Sequence, residues 1–197
     1  MAAAAPTTAD LTPPPFAEGL CDWSCGDGTP TSMTYEDVPG ARLIPDDPDF
    51  GDCLELERLE SLQRLRYMGE LPFHPGMRVE VRLRLKSVLG APGSARAAAW
   101  PGGAGGIGVP GLPLAGRLAA LPSLGRILDL RLVISRQPAL GVDLTWDARA
   151  LYAHVGVDLL GPVGGRVRIA NLAAREIATP LPARDLPGFV YTEPGMG

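Results

Sequence analysis

The stretch Met77-Arg78-Val79-Glu80-Val81-Arg82-Leu83-Arg84-Leu85-Lys86-Ser87-Val88 decides the fold class. Val79, Val81, Leu83 and Leu85 alternate with Arg78, Glu80, Arg82, Arg84 and Lys86. A period of two puts successive side chains on opposite faces of an extended chain, so this segment reads as a strand with one core face and one charged face. A helix would spread those charges around its whole circumference. Working outward, the same reading marks strands at Cys53 to Glu57, Leu62 to Tyr67, Ala95 to Trp100, Arg126 to Ser135, Val142 to Trp146, Leu151 to Leu160 and Arg166 to Ile177. Short strands punctuated by Gly and Pro turns predict an all-β, jelly-roll-like antiparallel β-sandwich.

One segment admits a second reading. Leu59, Leu62 and Leu65 lie three apart, near helical spacing, so a helix between Leu54 and Leu65 stays open. The Gly- and Pro-rich stretch from Pro101 to Leu124, with Gly102-Gly103-Ala104-Gly105-Gly106, is expected to be a long loop. Such loops on a rigid scaffold commonly carry binding sites. Residues 1–15 end in Pro13-Pro14-Pro15 and read as an extended N-terminal arm whose loss would spare the fold. Residues 16–177 form the sandwich domain, its first part to residue 52 mostly loop. Residues 178–197 form an extended tail containing Pro180, Pro182, Pro187 and Pro194.

The 197 residues suffice for one domain of ordinary size. A formal charge of −4 argues against a nucleic-acid partner, which demands a basic face to replace phosphate counterions. The alanine run at Met1 to Ala5 has no basic residues before it, and no apolar run approaches the roughly 20 residues of a membrane span. A soluble protein made in the cytoplasm is expected, with Cys21, Cys25 and Cys53 reduced, since three is not the even count of a disulfide framework.

No constellation of residues carries recognisable catalysis, and the chain is not expected to be an enzyme or to hold a cofactor. His74 sits in a turn and His154 in a strand, neither with Ser or Cys at motif spacing, so both read as structural. Cys21 and Cys25 lack the second pair that a structural zinc site needs. The acidic run Asp46, Asp47, Asp49 and Asp52 lacks the ordered spacing of a calcium loop and reads as turn residues. Gly102 to Gly108 is not followed by the GKS or GKT of a phosphate loop. Aromatic rings can stack on sugars, and Trp23, Tyr35 and Tyr152 are the candidate glycan contacts. Trp100 and Trp146, at the ends of apolar strands, read as core.

Several segments together resemble a known family. They are Leu11 to Leu20, Trp23-Ser24-Cys25-Gly26-Asp27-Gly28-Thr29-Pro30, Asp49 to Leu56, Leu65 to Glu70, Ala97-Ala98-Ala99-Trp100 with the glycines after it, and His154 to Leu159 with Gly161-Pro162, Gly164-Gly165 and Val167-Arg168-Ile169. This series is similar to the β-sandwich module of head-spike proteins in bacterial gene transfer agents, which are phage-like particles. The pectate-lyase-like β-helix that can follow the module in relatives has no counterpart here, and its activity is not carried over. The resemblance implies a capsid-decorating spike component, its short sandwich suited to the base, held by a capsid protein at particle vertices beside other spike or fibre subunits. It further implies a homo-oligomer such as a pentamer, a virion-like location, and help in adhesion to the recipient cell's capsular polysaccharide. Leu11, Pro13, Pro14 and Pro15 would be the capsid anchor. A free carbohydrate-binding module is the alternative, distinguished by glycan binding in the isolated domain.

Overall fold

The computed structural model describes residues 9–25 and 38–178. After a 3-10 turn at Phe16–Glu18, the strands are β1 (Trp23–Ser24), β2 (Ala41–Asp47), β3 (Gly51–Glu57), β4 (Leu62–Pro72), β5 (Arg78–Leu89), β6 (Ser94–Gly103), β7 (Gly106–Ile107), β8 (Ala119–Ala120), β9 (Ile127–Ser135), β10 (Leu144–Thr145), β11 (Tyr152–Leu160), β12 (Arg166–Ile169) and β13 (Ala173–Ile177). They form two sheets, one ordered β1-β4-β11-β6-β7 with β8 beside β6, the other β10-β9-β5-β12-β3-β2 with β13 beside β5. All pairings are antiparallel except β10 with β9. No described helix is long and apolar enough to cross a membrane.

The alternation in β5 sets the core. Val79, Val81, Leu83 and Leu85 are at most 2% exposed and join one apolar cluster with Leu65, Ala95, Ala97, Ala99, Val155, Val157 and Leu159 from the opposite sheet. The charged face of β5 is only partly solvated. Arg82 and Arg84 are exposed, but Arg78, Glu80 and Lys86 are buried, because side chains from β9, β13 and the β2–β3 turn lie across them. Lys86 Nζ donates to Asp47 (2.7 Å) and Asp49 (2.6 Å), and Arg168 donates to Asp47 (2.7 Å) and Glu55 (3.1 Å). Part of the acidic run is thus the anion layer of this sheet. Burial pushes the Asp47 carboxyl up, but hydrogen bonds from Lys86 and Arg168 outweigh it and hold the group well below the usual carboxylate range.

The helix left open between Leu54 and Leu65 does not form. β3 and β4 meet there at a corner built around Arg58, which is fully buried. Its guanidinium donates to the carbonyls of Pro92 (2.6 Å), Leu160 (3.3 Å) and Ala91, while its backbone N–H donates to Gly165 (2.8 Å). A side chain at Gly165 would lie 2.0 Å from this guanidinium, and one at Gly93, where φ is +75°, 2.2 Å from the Leu160 carbonyl. Only glycine fits at position 93, and a side chain at 165 would displace the Arg58 guanidinium from its carbonyls.

The region read as loop up to residue 52 contains β2, an edge strand that tolerates Pro45 because its outer N–H groups need no partner. The expected N-terminal arm is tied down from Ala9 onward. Leu11 N–H donates to Ala174 O (2.9 Å), Glu176 N–H donates to Ala9 O (2.9 Å), and the Thr12 hydroxyl bonds the Ala174 carbonyl (3.1 Å). These bonds extend the sheet past β13, where a free edge would otherwise lie. Pro13 and Phe16 are buried behind them. Residues 1–8 and the tail from residue 179 lie outside the described residues.

Candidate functional site

The outer face of the six-stranded sheet follows from register. Asp158 of β11 stands opposite Arg64 of β4 and Arg96 of β6, Gly156 opposite Arg66 and Ala98, His154 opposite Trp100, and Tyr152 opposite Gly102. Residues directly opposite share a face. At Gly156 the β4 backbone comes so close that a Cβ would lie 2.0 Å from the Leu65 carbonyl. Trp100 carries the Arg66 guanidinium 5.4 Å and the Arg64 guanidinium 5.9 Å from its ring centroid. A guanidinium on an indole face is attracted by the ring quadrupole. Asp158 holds the flanking arginines, accepting from Arg64 Nε (3.1 Å) and Arg96 Nε (3.0 Å).

His154 lies in this strip, fully buried, and among the described residues neither ring nitrogen has a hydrogen-bond partner. Burial, and then the neighbouring Arg66 charge, push its pKa down to about 4, so the imidazole is neutral at physiological pH. Tyr152 follows at the end of the strip, its ring centroid 5.7 Å from that of His154. Burial and then Glu70 raise the phenol's pKa, so it stays protonated. A Cβ at Gly102 would fall 2.1 Å from the Tyr152 ring, so the phenol lies flat over the glycine backbone.

Beside Tyr152 a depression of about 520 Å³ opens between the loop Gly103–Pro110 and residues Ala148, Arg149 and Leu151. This size lies within the range of small-molecule sites, about 300–1,000 Å³. Arg149 caps one side, its guanidinium held by Asp147 (3.0 and 2.7 Å). Gly105, Gly106 and Gly108 have no other atoms near their Cβ directions, so the loop backbone is open to a ligand. The glycine run, expected as part of a long loop, instead closes the tight β6–β7 hairpin, and that hairpin lines the concavity.

Of the candidate glycan contacts, Tyr152 packs over Gly102 next to this depression, whose own lining starts at Leu151 and Gly103. Trp23 is not a surface contact, because it is 2% exposed and packs between Phe16 (4.8 Å) and Tyr67 (5.4 Å) as part of the core. Tyr35 lies outside the described residues. Trp146 is core, its indole N–H donating to Pro113 O (2.7 Å). Trp100, read as core, is indeed buried at 5% exposed, but on the sheet face turned away from the main apolar cluster. Its signal was the alternation Ala95, Ala97, Ala99, which places Trp100 out of phase with the core set. Leu11 packs partly against the core and its backbone pairs with β13, Pro13 is buried, and only Pro14 and Pro15 of the proposed anchor are exposed. Cys25 is half-buried with its thiol pushed up to about 11 by burial, and among the described residues no group of three His, Cys, Asp or Glu is placed to hold a metal ion.

No family profile matches the chain, and no curated protein matches it in sequence. Solved structures do match it in shape. The CBM22-1 xylan-binding domain of Paenibacillus barcinonensis Xyn10C superposes with a TM-score of 0.57 at 14% identity, covering 90% of this chain and 100% of that domain. TmCBM61, solved with β-1,4-galactotriose, gives a TM-score of 0.52 at 10% identity, covering 83% of this chain and 95% of that one. The CBM22-1-GH10 modules of Clostridium thermocellum xylanase 10B, solved with xylohexaose, give a TM-score of 0.55 at 7% identity over 88% of this chain and 30% of theirs. The fold is therefore the jelly-roll β-sandwich expected from the alternation in β5.

Proposed function

We propose that this chain is a non-catalytic carbohydrate-binding domain that holds a saccharide at the Tyr152 end of the six-stranded sheet. The observation that carries this reading is the half-buried Tyr152 ring beside the depression lined by Gly103–Pro110 and Arg149. An aromatic ring next to open backbone groups and a guanidinium suits a ring of hydroxyls with an apolar face. The solved xylan-binding and galactotriose-bound neighbours share the fold and support the same reading.

Affinity electrophoresis of the isolated protein through gels containing soluble neutral polysaccharides tests it. Retardation by at least one polymer, weakened about tenfold or more in Tyr152→Ala, is the expected result, since an aromatic stack and its burial contribute on the order of 1.5 kcal/mol. Mobility identical in every gel would refute it. Release of reducing ends that persisted through repurification would show an enzyme instead.

The sequence resemblance supplies a setting, and the finer proposal is that the domain works in the head spike of a gene transfer agent or related particle. There it would contact a capsid protein and other spike subunits and bring a capsular polysaccharide to the particle. Repetition around a vertex would make weak sugar contacts add up. Mass spectrometry of purified particles decides this, because a spike component must be present in them.

A further inference from the structure

Three arginines from three strands converge on a single carboxylate on the outer face of the seven-stranded sheet. Glu80 of β5 accepts from Arg82 Nε (2.9 Å), from Arg131 Nε of β9 (2.6 Å), and from Arg175 Nε and Nη2 of β13 (3.0 and 2.8 Å). The Glu80 side chain is 3% exposed, while those of Arg82, Arg131 and Arg175 are 57%, 47% and 56% exposed. One negative charge is bonded to three positive ones; Asp10 stands opposite Arg175 across an isolated bridge, but among the described residues no second carboxylate makes an ion pair with any of the three. Register makes the excess more pronounced, because Arg82 stands directly opposite Arg131. Like charges at that position destabilise a sheet. The carboxylate engages Nε of all three, and Nη2 of Arg82 and Arg175, leaving both terminal nitrogens of Arg131 and one each of Arg82 and Arg175 without a partner among the described residues.

The surroundings limit what fits. Beside the triad a shallow depression of about 400 Å³ is lined by Arg82, Arg84, Arg131, Asn171 and Ala173 among others. Arg84 is balanced by Asp129, and Lys86 and Arg168 by Asp47, Asp49 and Glu55. The positive excess is therefore local, in a chain of net charge −4. A continuous polyphosphate would meet the carboxylates around the triad, among them Asp129 at the depression and Asp10 opposite Arg175, whereas an isolated oxyanion on an otherwise neutral chain can meet the guanidiniums with fewer such encounters. Guanidinium forks match planar carboxylates and sulfate edges.

We propose that Arg82, Arg131 and Arg175 form a second glycan site, on the sheet opposite the Tyr152 site, that takes the carboxylate or sulfate substituent of an acidic polysaccharide. The site deepens the carbohydrate-binding reading and rests on it. Binding there is electrostatic and weakens with salt, while binding at the Tyr152 site is not.

Affinity electrophoresis of the full chain in gels containing polygalacturonate, dextran sulfate or a neutral polysaccharide that the protein retains separates the two sites and the two oxyanion sources. The acidic gels should retard the protein, with the affinity falling at least tenfold at about 0.5 M salt. Arg131→Gln leaves Glu80 paired with Arg82 and Arg175, and a thermal melt verifies its fold. It should weaken acidic binding about tenfold, the loss of one charge-assisted contact, with neutral binding unchanged. Glu80→Gln, which removes the competing carboxylate, should tighten acidic binding. Acidic retardation indifferent to Arg131→Gln, weakened by Glu80→Gln, or matched by duplex DNA would overturn the proposal. Failure of every neutral gel, with acidic retardation intact and Arg131-dependent, would overturn the Tyr152 reading and leave an oxyanion site on this face.

Discussion

Glu80 joins three strands of the seven-stranded sheet through one buried carboxylate, and Glu80→Gln isolates the contribution of its charge. Burial alone would raise its pKa, but hydrogen bonds from Arg82, Arg131 and Arg175 bring it from 4.5 down to about 2. At about 1.4 kcal/mol per tenfold change in proton affinity, this corresponds to roughly 3 kcal/mol. The guanidiniums are half in water, which screens the attraction, so about 2 kcal/mol is the expected loss in Glu80→Gln at pH 7. Because the folded-state pKa lies below the unfolded one, the contribution is fully present above about pH 4.5 and is lost as the pH falls toward 2. Urea unfolding should show a midpoint about 1 M lower for the variant at pH 7, with the two proteins converging near pH 2. Equal midpoints at pH 7, or a difference that stays constant from pH 7 to 2, would refute the assignment.

The corner and the core give sharper tests. Gly93→Ala forces a methyl against the Leu160 carbonyl and the Arg58 guanidinium at positive φ, and should cost about 2–4 kcal/mol by chemical unfolding. Leu83→Asp buries an unpaired carboxylate among the core residues of β5 and should prevent cooperative folding, whereas Arg82→Gln, exposed and sharing Glu80 with two other arginines, should cost less than about 1 kcal/mol. Deleting Met1 to Thr12 removes Leu11 and the hydrogen bonds to β13, so a loss of about 2 kcal/mol is expected rather than the neutrality that a free arm implies. His154 has a folded-state pKa of about 4 against 6.5, so the unfolded chain takes up a proton first and stability falls as pH drops through that window. His154→Leu should flatten the pH 6.5 to 4 segment of the stability profile while leaving the Glu80 segment in place.

The parts of the fold legible in the sequence are those where one face is buried and the other wet. β5 shows this best, because Val79, Val81, Leu83 and Leu85 pack inward and every intervening residue is charged. β2 was hidden because an edge strand need not alternate, and it carries Pro45 and a bulge before Asp47. The docking of Ala9 to Thr12 was equally hidden, since backbone pairing to β13 leaves no mark on side-chain type. At the candidate site Tyr152 could be read from the sequence, but the depression beside it forms only when the Gly103–Pro110 loop folds back against Arg149.

The two outer faces spend their arginines differently, and the difference bears on function. On the six-stranded sheet Asp158 sits between Arg64 and Arg96, and the Arg64 and Arg66 guanidiniums lie over Trp100, so they are committed to the protein's own packing. On the seven-stranded sheet Arg82, Arg131 and Arg175 share one acid and keep half their surface in water. A sheet built only for stability would have placed a second carboxylate opposite Arg131 instead of Arg82, since a cross-strand ion pair gains where a like-charged pair loses. The charge left over is therefore the part of this face that folding does not account for, and an oxyanion from outside the chain is the chemistry that would balance it.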